Sequence, residues 1–110
     1  MVFHPTRAGC ALALLATFVP PLQAAAAVHT ILIDGMRFIP QTVEVKRGDT
    51  VVWRNKDPLP HTAVAETVKG GPASPVIAAG ASWRYKATKA GTYPYLCTLH
   101  RTMTATLVVK

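Results

Sequence analysis

Acidic residues are scarce in this chain. Five Asp and Glu stand against twelve Lys and Arg, leaving a net charge of +7 over 110 residues. A basic protein attracts acidic proteins, anionic membranes or nucleic acid. Here the cations are spread from Arg37 to Lys110 with no dense block and no accompanying nucleic-acid motif, so nucleic acid is the weakest of the three. Cysteine is scarcer still, with only Cys10 and Cys97. No segment sustains an apolar repeat at helical spacing, which argues against a helical bundle. No Met- or His-rich tract, internal repeat or second domain is present.

The first 27 residues read as a secretory signal peptide. Arg7 supplies a basic start, Cys10 to Val19 form a short apolar run, Pro20-Pro21 end it, and Ala24 to Ala27 offer small-residue cleavage sites. The alternative is an uncleaved anchor, for which the apolar run is short. Cleavage leaves one domain over residues 28–110, with a charge of +6 once Arg7 is gone. It also leaves Cys97 as the only thiol. In an oxidising compartment a lone thiol is a liability unless something occupies it.

The mature region reads as short strands separated by turns. Val28 to Ile33 is β-branched and apolar and closes on Asp34-Gly35. Thr42 to Lys46 alternates. Thr50 to Asn55 follows the turn Arg47-Gly48-Asp49, with Val51 and Trp53 on one face. A short strand is expected at His61 to Val64, and others at Ser82 to Ala87, Thr92 to Cys97 and Ala105 to Val109. Pro94 inside a strand pattern points to an edge. Short strands with Gly/Pro/Asp punctuation indicate an all-β sandwich or barrel.

The run Tyr95-Leu96-Cys97-Thr98-Leu99-His100-Arg101-Thr102-Met103 places a thiolate, an imidazole and a thioether close together, and His61 follows a Pro-Leu-Pro turn upstream. Two His, one Cys and one Met is the ligand set of a blue-copper electron-transfer centre. Zinc accepts Cys and His, but a structural zinc site would use more thiolates and no thioether. The metal ligands read from the sequence are therefore His61, Cys97 and His100, with Met103 as the weak axial ligand. Strand alternation puts Tyr93, Tyr95 and Cys97 on one inward face, with His100 expected in the connection before the last strand.

These residues carry a resemblance. The chain resembles the cupredoxin family, and within it the amicyanin type, through Phe38-Ile39-Pro40, Val43-Glu44-Val45, Gly48 to Asn55, Pro60-His61, Gly91 to Tyr95 and the Cys-x2-His-x2-Met loop. The resemblance implies a Greek-key β-sandwich with copper at one end. It implies a periplasmic type 1 copper protein that shuttles single electrons between periplasmic redox partners (a dehydrogenase donor, a c-type cytochrome acceptor or both), as a monomer and without stable membrane insertion. Amicyanins resemble Cys-Thr-Pro-His-Pro in this loop, whereas Leu99 and Arg101 occupy the proline positions here. Leu99 keeps an N–H that is expected to reach the Cys97 sulfur and lower the reduction potential. Thr62 stands where many members carry an Asn that ties the two ligand loops, so a looser tie is expected. The docking face implied is Leu59, Pro60, Leu99 and Pro94 around His100, rimmed by Lys56 and Arg101 and suited to an acidic partner.

Ligand counting favours a carrier over an enzyme. Three His remain after cleavage, two are ligands, and His29 alone cannot build a second copper cluster. A Cys97–His100 nucleophile–base pair would leave His61 and Met103 without a role. The serious alternative is a copper chaperone using the same ligands; its usual sign, an exposed Met- or His-rich tract, is missing. A metal-free adaptor would make the constellation coincidental. A free terminus Ala27-Val28-His29 could also chelate Cu(II), against the plainer reading of a frayed end.

Overall fold

The structure is a computed structural model that describes residues 2–4, 9, 11–20 and 25–110. Arg7, Cys10, Pro21 and Ala24 of the leader reading lie outside the described residues. Among the described residues no helix is long and apolar enough to cross a membrane.

Among the described residues seven strands make two sheets. They are β1 (Val28–Ile33), β2 (Phe38–Ile39), β3 (Thr42–Val45), β4 (Thr50–Asn55), β5 (Ser82–Lys86), β6 (Gly91–Cys97) and β7 (His100–Val109). One sheet has the order β2-β1-β4-β5 and the other β3-β7-β6. The two are joined by one buried cluster that includes Ile31, Ile33, Val51, Trp53, Tyr93, Tyr95 and Leu107. Each strand sends alternate residues into it, as the period-2 pattern requires. This is the all-β sandwich the sequence pattern indicates. β6 is an edge strand of its sheet, as Pro94 suggested.

Parallel pairing sets which ends meet. β1 runs parallel to β4, with Ile31 opposite Trp53 and Ile33 opposite Asn55. The C-terminal ends of β1 and β4 therefore coincide, and the turn after β1 reaches the loop after β4: Gly35 N–H donates to Asp57 Oδ1 (2.7 Å). Val64 bridges Leu96 near the end of β6, which adds Cys97 to the same end. Trp53 fills the centre, edge-on to Tyr95 at 5.5 Å between ring centroids and donating its indole N–H to the Tyr95 hydroxyl (3.2 Å).

Two boundaries differ from the sequence reading. His61 to Val64 is no strand; His61 and Val64 make isolated bridges to Ile77, Ala73 and Leu96. The last strand begins at His100 rather than Ala105. It starts early because Thr98-Leu99 form a two-residue hairpin, the shortest connection between antiparallel strands.

At the opposite end, Asp49 closes the Arg47-Gly48-Asp49 turn. Its carboxylate accepts from the Ala27 and Lys46 amides (2.9 and 3.0 Å) and from His29 Nε2 (2.9 Å). The His29 hydrogen bond, then those amides, hold its pKa down at about 2, from 3.8. A depressed carboxylate stabilises the fold above its unfolded pKa and loses that contribution as pH falls through the folded value. Asp49→Asn is expected to flatten the loss of stability between about pH 4 and pH 2. Urea midpoints measured across that range would show it; an unchanged acid limb would contradict it.

Candidate metal centre

The Cys-x2-His spacing is a direct consequence of the hairpin. Cys97 ends β6 and His100 opens β7, and the tight turn makes them cross-strand partners. Between that pair and Leu96–Thr104 the register shifts. The three residues 101–103 bulge on the β7 side, and Met103 turns inward, 4 % exposed. The loop sequence thus delivers a thiol, an imidazole and a thioether from two adjacent strand ends.

His61 comes from the loop after β4 and is fully buried, as is Cys97. Its backbone is clamped to Ile77 by His61 N–H to Ile77 O (3.1 Å) and Ile77 N–H to His61 O (2.7 Å). Asn55, also fully buried, organises the loop before it. Its side-chain amide donates to Leu59 O and Ile77 O, and its carbonyl accepts from the Asp57 amide.

Asp57 orients the ring. Its Oδ2 stands 2.9 Å from His61 Nε2, while the amides of Gly35 and Met36 donate to its two oxygens. Burial opposes the charged carboxylate, but the bonds from Met36, Gly35 and His61 outweigh it and lower the pKa. An ionised carboxylate only accepts, so Nε2 donates to it, and in the neutral imidazole Nδ1 then presents a lone pair. That Nδ1 faces Cys97 Sγ at 3.7 Å. A first-row ion about 2.1 Å from nitrogen and about 2.3 Å from sulfur would span this separation at an angle of roughly 115°, between tetrahedral and trigonal. The rings of His61 and His100 lie 5.1 Å apart between centroids. Among the described residues no three His, Cys, Asp or Glu groups are grouped closely enough to hold a metal ion by themselves; His61 is near both Cys97 and His100, and the remaining donor is a thioether.

The sulfur receives hydrogen bonds, as a thiolate would require. Thr62 N–H donates to Cys97 Sγ (3.3 Å), and the Thr62 hydroxyl lies 3.8 Å away. The expected donor, Leu99 N–H, is not among the sulfur's partners; Leu99 sits in the turn, half exposed. Thr62 is also a firmer tie than its size suggests. Its Oγ1 accepts from Thr98 N–H (2.8 Å) and pairs with Thr98 Oγ1 (2.8 Å), joining the two ligand loops. Thr62→Ala is expected to cost about 1–2 kcal/mol of stability, the scale of a lost buried hydrogen bond. Losing the hydroxyl beside the sulfur should also raise the reduction potential, by up to roughly 40 mV for about 1 kcal/mol at one electron. Urea unfolding and potentiometry read the two effects.

The rim differs from expectation. Leu59 and Leu99 are exposed at 47 % and 49 %, and His100 is partly exposed. Arg101 is no free cation: its guanidinium forks onto Glu66 at 3.0 and 2.8 Å. Pro94 lies opposite Thr106, well along β6 and away from the ligand end. Asn55 and Asp57 were not singled out from the sequence. The Asp57-to-His61 spacing is the one signal that could have found the second of them.

Known proteins share this sequence pattern and fold. A family model described as a cupredoxin-like domain matches residues 8–109. The chain is 32 % identical over 94 residues to amicyanin-alpha of Methylorubrum extorquens, covering 80 % of this chain and 76 % of that protein. A solved Cu(I) form of an amicyanin variant superposes with a TM-score of 0.68 at 32 % identity, covering 80 % of this chain and 87 % of the other. A copper-containing nitrite reductase from Thermus scotoductus superposes with a TM-score of 0.70 at 28 % identity over 87 % of this chain, which spans only 25 % of that enzyme.

Proposed function

Because the chain belongs to the cupredoxin-like family, whose solved relatives carry copper, we propose that it is a type 1 copper electron carrier with His61, Cys97, His100 and Met103 as the ligands. The observation that carries this reading is the orientation of His61. One ring nitrogen is held by Asp57, and the other is turned at 3.7 Å toward a buried, hydrogen-bonded cysteine sulfur. Copper, when bound, supplies a one-electron couple. The protein's own groups do the rest. Thr62 and Asp57 hold the sulfur and the imidazole in place, and the burial of His61, Cys97 and Met103 excludes water and substrate. Rigid ligands need little rearrangement between redox states. The partly exposed His100 edge, next to the exposed Leu99, is the way in and out for the electron.

The resemblance to small carriers, with only a quarter of the nitrite reductase matched, supports a carrier rather than an enzyme. We place the protein in the periplasm, exported by a leader that ends within Ala24 to Ala27. A cut after Ala26 would keep both bonds of Ala27, to Asp49 and from Thr50 N–H. There Ala27 N and His29 Nε2 are both engaged by Asp49, which competes with a terminal copper chelate. The partners proposed are a dehydrogenase donor and a c-type cytochrome acceptor with an acidic face. Lys56 remains an exposed cation in the segment leading to His61, while Arg101 is spent on Glu66.

The test is a redox titration of the copper-loaded protein followed by gel filtration of both states. A reversible one-electron step with copper retained throughout supports a carrier; copper lost on reduction favours delivery instead. Asp57→Asn is expected to raise the potential by roughly 40 mV, because a neutral amide oxygen polarises the imidazole less, by about 1 kcal/mol. Copper affinity should fall about ten- to a hundredfold. Potentiometry and competition with a chelator measure the two.

A further inference from the structure

Met36 is the only non-glycine among the described residues with a left-handed backbone, at φ 59°. It follows Gly35, at φ 61°, and together they form the turn between β1 and β2, closed by Asp34 N–H to Arg37 O (3.1 Å). Two successive positive φ values are the pattern of a hairpin turn that favours Asn and Gly. A long unbranched side chain gains nothing there from the turn. Strain of this kind persists when the surroundings hold it, and it points toward function. Here Asp57 holds it, accepting from Gly35 and Met36 N–H, and the oxygen that takes the Met36 amide also takes His61 Nε2.

The strained residue presents a thioether at the surface. Met36 is 37 % exposed, and it lines an open cavity of about 280 Å³ whose wall includes Met103. Of the two thioethers in this lining, that of Met36 is partly exposed and that of Met103 is buried beside the ligand hairpin. The remaining lining offers only Phe38, Ile39, amide and hydroxyl groups and the Arg37 cation. Thioethers are soft ligands that select Cu(I) over divalent ions of the same row.

We propose that Met36 is a capture ligand for cuprous ion, taking Cu(I) from a soluble complex and passing it along the shared cavity to Met103 and the buried site. The transfer is ligand exchange alone: a donor ligand leaves, a thioether sulfur replaces it, and no electron or proton changes hands. It rests on the copper reading above, but Met36 is not among the four ligands of that site, and its removal leaves them intact.

The test is stopped-flow loading of the metal-free protein from a coloured Cu(I)–bicinchoninate complex, with Met36→Leu and Met36→Gly beside the native chain. Leucine keeps the bulk and the strain; glycine relieves the strain. Both variants lack the thioether and should load Cu(I) five- to tenfold more slowly, with Cu(II) loading unchanged. An unchanged Cu(I) rate in either variant, or equal slowing for Cu(II), overturns the proposal. A second arm does not depend on the copper reading. In Cys97→Ser, substoichiometric Ag(I) should shift the Met36 methyl resonance; a stationary resonance with a moving Met103 also overturns it. If the native protein takes up no copper, the site reading fails and delivery to it falls as well, whereas a protein that loads copper at the same Cu(I) rate with and without the Met36 thioether overturns the capture step alone.

Discussion

Cys97→Ser is expected to abolish the intense visible band of the copper-loaded protein while leaving the fold intact. The buried position suits a hydroxyl sterically and chemically. Thr62 N–H stands ready to donate to it, and His61 Nδ1 can accept from it. No orphaned polar group is created, so the substitution isolates chemistry from stability. Serine offers a hard, weakly acidic oxygen where the site is arranged for a soft thiolate. Any copper retained by His61 and His100 should give only a pale spectrum. Circular dichroism and thermal unfolding of the metal-free variant should match the native protein within about 1 kcal/mol, as volume-conserving changes do when polar groups stay paired. A variant that kept the intense band would remove Cys97 from the site.

Trp53→Ala acts on the other half of the structure. Trp53 has no exposed surface and sits opposite Trp83 across β4 and β5, with ring centroids 5.5 Å apart. Its ring also meets Tyr95 and Tyr85. Truncation leaves a cavity between the two sheets and takes away the indole N–H that the Tyr95 hydroxyl accepts. Large aromatic-to-alanine changes in cores cost about 3–5 kcal/mol. Whole domains of this size hold only about 5–15 kcal/mol. At about 4–8 °C per kcal/mol for a domain of 60–100 residues, the melting temperature should fall by 12 °C or more. Trp53→Phe should cost less, since it keeps most of the ring volume. A loss below about 1 kcal/mol for the alanine variant would mean that the sheets repack freely around the site.

The sandwich was readable because β strands with one buried face announce themselves by alternation. Val51 and Trp53, or Tyr93, Tyr95 and Cys97, each fell on the inward face assigned to them. Their boundaries were less readable. His100 is expected in a connection, yet it opens β7, and the bulge at residues 101–103 carries Arg101 and Thr102 outward and returns Met103 to the interior. A bulge is a two-strand property, and one strand's pattern does not contain it.

The four proposed ligands stood out through residue type and spacing, which are local. What supports them is not local. Asp57 reads as one more polar loop residue until the turn after β1 is brought against it by the parallel β1–β4 pairing. Thr62 is expected to make a looser tie and instead bridges to Thr98, because Val64 pairs with Leu96 and draws the two loops together. Arg101 looked like a rim cation, and only the fold shows Glu66 beneath it, 35 positions earlier in the chain. In each case the partner lies in a different loop, and the pairing is fixed by topology.

The most direct test of the copper reading is the visible and EPR spectrum of the native domain loaded with one Cu(II). His61, Cys97 and His100 around the ion, with Met103 as a weak fourth ligand, predict an intense blue thiolate band and a narrow copper hyperfine splitting. A pale solution with a wide splitting would show that Cys97 does not bind the metal, and would contradict the account at its centre.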